Sequence, residues 1–118
     1  MRVPEHPSLI RRMLQSRLNQ LTAKGPVLAA TLSLVHKTCG QPSCACHHGG
    51  PKHQAHHLTL KEHGQTRTVY VPVDLLDEVR QWVAEHQRLK RLQAEVSQLT
   101  LALVTTHATN RKRKKGRR

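Results

Sequence analysis

The sequence has almost no aromatic residues. Phenylalanine is absent, and Tyr70 and Trp82 are the only aromatic side chains among 118 residues. The core must therefore be built mainly from leucine and valine. The scarcity of rings also argues against a surface that binds single-stranded nucleic acid by stacking bases on aromatic side chains.

Long hydrophobic runs are missing as well. No apolar segment approaches the roughly 20 residues that cross a bilayer, and the first residues lack the apolar stretch of a secretion signal. The chain has three cysteines, which cannot all pair with one another. An odd number of thiols without a signal favours metal ligation in a reducing compartment over disulfides. We therefore expect a cytoplasmic protein with no membrane partner.

Acidic residues are few compared with basic ones. Seven Asp and Glu stand against 20 Lys and Arg, which gives a formal net charge of +13. Such a charge attracts polyanions, and nucleic acid is the usual polyanionic partner of a strongly basic protein. The basic residues are densest in the tail 110–118, which we expect to be disordered when free and to bind phosphates.

Hydrophobic periodicity predicts an α+β fold with a single domain over residues 1–109. Spacings of three and four predict a helix over 8–24, with Ser8 as its N-cap, and a long helix over 74–105. Between these two helices, the alternation of apolar and polar residues over 27–72 predicts a small three-stranded antiparallel sheet. The expected strands cover about 27–37, 56–62 and 66–71.

The predicted long helix exceeds the diameter of a small domain. About 30 residues at ~1.5 Å each span ~45 Å. Its distal apolar residues must therefore pack on the N-terminal helix, on a second copy of the chain, or on another protein.

The three cysteines lie within eight residues, beside a histidine-rich segment. Cys39, Cys44 and Cys46 follow the spacing C-x4-C-x-C, with Gly40 and Pro42 suited to a tight turn. Three thiolates and one imidazole complete a tetrahedral shell for Zn²⁺. The possible fourth ligands are the histidines that follow, of which we favour His53 over His47, His48, His56 and His57.

A closed shell of four protein ligands indicates a structural zinc ion. We therefore expect a zinc knuckle within 27–72 and a zinc-stabilised domain over residues 1–109. A catalytic zinc keeps an open position and needs a nearby base, and Glu62 is the only acid close in sequence. The chain also lacks a phosphate-binding loop and a convincing nucleophile with its base. We therefore expect a protein that is not an enzyme.

Basic residues near the cysteine cluster suggest a second phosphate-binding patch, in addition to the tail. Lys37 precedes the cluster, Lys52 lies in its loop, and Lys61 and Arg67 lie on the predicted hairpin. The candidate nucleic-acid contacts in the tail are Arg111, Lys112, Arg113, Lys114, Lys115, Arg117 and Arg118.

The order of these motifs resembles an uncharacterised family of small bacterial and archaeal proteins that are often encoded near transposases and other mobile elements. The resemblance covers roughly residues 27–100. It is carried by Cys39-Gly40, Pro42, Cys44, Cys46, His53 and the segment Thr-Arg-Thr-Val-Tyr-Val-Pro over 66–72. Residues 54–57 depart from it, because that family has aromatic residues there. The resemblance implies an architecture and a genomic setting, without a mechanism.

Three functions follow as expectations. The first is a nucleic-acid-binding accessory protein of a mobile element, with DNA favoured over RNA as the partner. The second is a protein-interaction subunit that uses the 74–105 helix to form a homodimer or to dock a partner. The third is a basic zinc protein associated with RNA or the ribosome.

Overall fold

The computed structural model describes the backbone of residues 1–116 and the side chains of residues 1–113. It confirms the α+β fold class. The regular elements, in chain order, are α1 (Pro7–Gln20), β1 (Thr31–Lys37), β2 (His53–Glu62), β3 (Gln65–Val71) and α2 (Leu76–Gly116). Short 3₁₀ turns cover Ala45–His47 and Val73–Leu75.

The three strands form an antiparallel sheet in the order β1-β2-β3. A two-residue turn joins β2 to β3, and His63 and Gly64 both have positive φ there, 54° and 78°. This is the backbone that a two-residue hairpin loop needs. In the register, Leu32 lies opposite Leu58, and Leu58 lies opposite Val69. These three leucine and valine side chains therefore share one face of the sheet.

Two strand boundaries differ from the prediction. β1 begins at Thr31 rather than at residue 27, because the backbone N–H of Leu28 donates to the carbonyl of Trp82 (3.1 Å) instead of to a neighbouring strand. β2 begins at His53 rather than at residue 56, because it pairs with β1 as far as Lys37. Alternation alone could not locate these pairing partners.

The chain divides into two compact units. The sheet unit, residues 25–86, contains the three strands and the start of α2. Its core is formed by Ala30, Leu58, Val71 and Val79, all more than nine-tenths buried. Whether residues 1–109 behave as one zinc-stabilised domain stays a prediction.

The helical unit combines residues 1–24 with the chain from Gln87 onward. Ile10 of α1 and Leu99 of α2 are completely buried. The Arg17 guanidinium donates to the Glu95 carboxylate at 2.9 Å, both side chains being about three-quarters buried. Of the three neighbours predicted for distal α2, the structure therefore has α1 in contact with it.

Both ends of α1 differ from the prediction. The N-cap is His6, whose side chain accepts a hydrogen bond from the Ser8 N–H, with Pro7 at the first helical position, where proline is favoured. The helix ends at Gln20 rather than at residue 24. Arg88 donates to the carbonyls of Gln20 and Thr22, each at 2.9 Å, and so satisfies backbone groups that the end of a helix leaves unpaired.

The prediction of a disordered tail is wrong for the part of it that the structure describes. α2 begins at Leu76 and continues as one helix of 41 residues to Gly116, past the predicted end at residue 105. Cations at a helix C-terminus interact favourably with the helix dipole, which supports this extension. None of the helices within residues 1–116 has the length and apolar character needed to cross a membrane.

Candidate metal centre

The three cysteines lie in the loop between β1 and β2. Lys37 at the end of β1 pairs with His53 at the start of β2. Because the two strands are antiparallel, this pairing brings the two ends of the loop together. Cys39 and His53 are therefore neighbours, although 13 residues separate them in the chain.

Backbone hydrogen bonds fold the loop into successive turns. The Cys44 N–H donates to the Gln41 carbonyl (3.1 Å) and the Gly50 N–H donates to the Ala45 carbonyl (2.8 Å). A Cβ atom at Gly50 would lie 2.6 Å from that carbonyl oxygen, so only glycine fits there. The spacing of residues in the sequence gives no signal for this close approach.

The ligand atoms of Cys39, Cys44, Cys46 and His53 all lie within 4.8 Å of one another. The Cys39 and Cys46 sulfurs are 3.6 Å apart, and the Cys44 sulfur is 3.3 Å from Nε2 of His53. The structure therefore brings together the four residues that the sequence predicted as ligands.

These distances fit a tetrahedral metal ion. With metal–sulfur bonds of about 2.3 Å and metal–nitrogen bonds of about 2.0 Å, adjacent ligand atoms of a tetrahedron lie about 3.5–3.8 Å apart. The two short pairs have nearly this separation. The four residues could therefore coordinate a metal.

The environment shifts the pKa values of Cys44 and Cys46 in opposite directions. The backbone N–H of Cys46, followed by the His53 imidazole and the neighbouring thiols, lowers the pKa of Cys44 from its ordinary 9.0 to about 6. The N–H of Cys39 donates to the Cys46 sulfur at 3.4 Å and acts to lower the pKa of Cys46. Burial and the two adjacent thiols outweigh it, so the pKa of Cys46 is raised. A bound cation would favour the thiolate of both.

The site lies at the surface of the sheet unit. Cys46 is buried, Cys39 and Cys44 are half-buried, and His53 is exposed. A metal ion can therefore reach the ligands without rearrangement of the core.

The other candidate histidines lie outside the ligand group. Nε2 of His47 is 2.6 Å from the Cys39 carbonyl, and Nε2 of His48 is 3.0 Å from the Pro42 carbonyl. Each ring is therefore hydrogen-bonded to the backbone of the loop. His56 lies opposite Leu34 and Val71 in the sheet. His57 stands edge-on to Tyr70, at a ring separation of 6.1 Å.

Two of the four residues in the predicted basic patch, Lys61 and Arg67, lie on opposite faces of the sheet. Lys37, Lys52, Lys61 and Arg67 are all exposed. Arg67 lies opposite Leu60, so it shares the Leu60 face of the sheet, whereas Lys61 is on the other face. Arg67 also donates to the Glu62 carboxylate at 2.8 Å.

The basic residues of the tail lie at the end of α2. Arg111, Lys112 and Arg113 are exposed on the helix. For Lys114 and Lys115 the structure describes the backbone alone. Arg117 and Arg118 lie outside the described residues.

Comparison with known proteins identifies a family but no characterised relative. No curated protein and no solved structure matches the chain. The model of a family described as a domain of unknown function, DUF6788, matches residues 11–81. This span is more than half of the chain and includes all four candidate ligands and the whole sheet. The chain therefore belongs to the DUF6788 family.

Proposed function

We propose that the metal is Zn²⁺ and that its role is structural. Three sulfurs and one imidazole nitrogen are a common set for structural zinc, whereas harder cations such as Mg²⁺ and Ca²⁺ prefer oxygen donors. Four protein ligands leave no position for a substrate or a reactive water. The observation that carries the proposal is the clustering of Cys39, Cys44, Cys46 and His53 within 4.8 Å.

A structural ion has a clear task in the sheet unit. Cys39 follows β1 and His53 is the first residue of β2. One ion would therefore link the two strands at the end where the loop connects them. The unit has only four residues that are more than nine-tenths buried in its main core. Small domains with cores of this size commonly depend on a metal or another cross-link.

We propose that the protein binds nucleic acid through phosphate contacts. The net charge of +13 and seven Lys and Arg within residues 110–118 support this function. The exposure of Arg111, Lys112 and Arg113 on a helix also supports it. Such contacts depend on the charge of the phosphates and do not by themselves distinguish one base sequence from another.

The type of nucleic acid and the biological setting are two finer parts of this proposal. DNA is favoured over RNA, and the role of an accessory protein of a mobile element comes from the resemblance described above. Recovery of DNA rather than RNA with the purified protein would support the first part. Recovery of ribosomal RNA would favour a ribosome-associated role instead.

A salt titration tests nucleic-acid binding. If the tail contacts about seven phosphates, log K falls with log salt at a slope near −6, and about three to four decades of affinity are lost between 50 and 200 mM salt. The measurement is fluorescence anisotropy of a labelled duplex with the intact chain and with a chain lacking residues 110–118. No binding by the intact protein at 50 mM salt would refute the proposal.

One observation favours a second candidate, a protein-interaction role for α2. Leu101 and Val104 are each 62% exposed on the side of the helix away from buried Leu99. A helix with apolar residues on two sides commonly packs in two directions. We propose a homodimer or a docked partner on this face, and sedimentation equilibrium of the intact chain tests it. A monomer at every concentration would exclude the homodimer.

A further inference from the structure

The formal charge is divided unequally between the two compact units. The sheet unit, residues 25–86, has five Lys and Arg and five Asp and Glu, and is therefore neutral. The helical unit has fifteen Lys and Arg and two acidic residues, Glu5 and Glu95. The whole net charge of +13 therefore belongs to the helical unit.

Cations of the helical unit are available to a ligand even outside the tail. Arg11 and Arg12 on α1, and Lys90 and Arg91 on α2, have exposed side chains. Among the residues that the structure describes, no carboxylate lies within ion-pair distance of these four. Arg17 differs from them, because Glu95 already neutralises it.

The sheet unit offers less to a polyanion. Its Arg67 is paired with Glu62, and its Arg80 lies 4.0 Å from Asp77. Lys61 and Arg67 are on opposite faces of the sheet. With equal numbers of acids and bases, the unit has no excess charge with which to attract phosphates.

We propose that the helical unit forms the nucleic-acid-binding surface and that its ligand is a duplex held through the phosphate backbone. Arg11, Arg12, Lys90 and Arg91 would contact phosphates together with the basic end of α2, whereas the sheet unit would make no phosphate contact. This inference rests on the proposed function and assigns it to one part of the chain.

The composition of the helical unit favours a duplex over a single strand as the ligand. Residues 1–24 and 87–118 contain no Phe, Tyr or Trp. Binding of single strands depends on aromatic rings that stack on the bases, and the helical unit has none. Backbone contacts by arginine and lysine suit a regular double helix, whose phosphates are closely spaced.

Charge-matched variants of the zinc-loaded full chain test the assignment. Two helical variants are Arg11→Ala with Arg12→Ala, and Lys90→Ala with Arg91→Ala. The control also tests the patch predicted from the sequence: Lys61→Ala with Arg67→Ala removes the same number of positive charges from the sheet unit, away from the metal ligands. Binding to a 25-bp duplex and to one of its strands is measured by anisotropy at several salt concentrations.

Each helical variant should lose about a hundredfold in duplex affinity at 50 mM salt, and its salt slope should become shallower by about 2. The control should bind within about twofold of the wild type. Arg11→Lys with Arg12→Lys should restore affinity, which separates lost charge from a misfolded helix.

The outcomes separate this inference from the proposed function. A wild type that binds neither duplex nor single strand would refute both. A control that loses affinity while the helical variants do not would overturn the inference and leave nucleic-acid binding intact. Tighter binding to the single strand than to the duplex would overturn the choice of ligand.

Discussion

Individual residues of the Cys39–His53 segment act through their backbone as well as through their side chains. The N–H of Cys39 donates to the Cys46 sulfur, and the Gly50 N–H closes the turn on Ala45. The ligand identities could be predicted, because all three cysteines of the chain cluster beside histidines and both residue types are common zinc ligands. The backbone donors could not, since every residue except proline carries the same N–H group.

Replacement of one ligand should release the metal. We expect Cys44→Ser to reduce the bound zinc to well below one equivalent and to lower the melting temperature by on the order of 10 °C, because binding energy at a structural site contributes to folding. Metal analysis and thermal unfolding check this. Ser43→Ala, at the exposed neighbouring residue, is the control. Unchanged metal content in Cys44→Ser would remove Cys44 from the ligand set.

The close approach at Gly50 gives a second test. Gly50→Ala places a methyl group against the Ala45 carbonyl, and we expect a loss of about 1–3 kcal/mol in the free energy of unfolding. Gly40→Ala is the matched control, because no atom lies within 4 Å of a Cβ at Gly40. Denaturant unfolding of both zinc-loaded variants measures the difference. Equal stabilities would mean that the loop relaxes freely around Gly50.

Metal affinity should increase with pH. Cys44, whose pKa is lowered to about 6, is mostly thiolate at neutral pH and becomes protonated as the pH falls through 6. The raised pKa of Cys46 means that this thiol must lose a proton when the metal binds. Acid should therefore weaken binding and alkali should strengthen it. Competition with a chromophoric chelator between pH 5.5 and 8 measures this, and a constant affinity would contradict it.

Tertiary contacts determine where some of the helices and strands begin and end. The type and order of all five main elements could be predicted from periodicity. The start of β1 could not, because it depends on the Leu28 N–H bonding to Trp82, far away in sequence. The end of α1 depends similarly on Arg88. The basic end of α2 was predicted to be disordered because like charges repel, yet the structure continues the helix to Gly116.

Two substitutions in α2 test whether its C-terminal half packs against α1. Leu99→Ala removes a side chain that is completely buried in the helical unit, and we expect it to cost about 2–5 kcal/mol. Leu101→Ala makes the same change where the side chain is 62% exposed, and should cost less than about 0.5 kcal/mol in a monomer. Denaturant unfolding compares the two. A large cost at Leu101 would indicate that a partner buries this face.

The family match covers residues 11–81 and leaves the rest of the molecule outside it. The DUF6788 match ends at residue 81, after the metal centre and the sheet. Lys90, Arg91 and the basic end of α2 lie beyond it. The candidate metal centre is therefore within the shared domain, whereas most of the charge that supports nucleic-acid binding belongs to the rest of this chain. Total charge could be read from the sequence, but its segregation required the division into units.

We infer that one metal ion joins Cys39, Cys44, Cys46 and His53 and organises the sheet unit. Native mass spectrometry of the full chain, purified without chelators and compared with the denatured chain, tests it most directly. We predict the added mass of one zinc ion per chain, retained in His56→Ala and lost in His53→Ala. A natively folded wild-type chain without bound metal, or one whose metal survives His53→Ala, would contradict the claim.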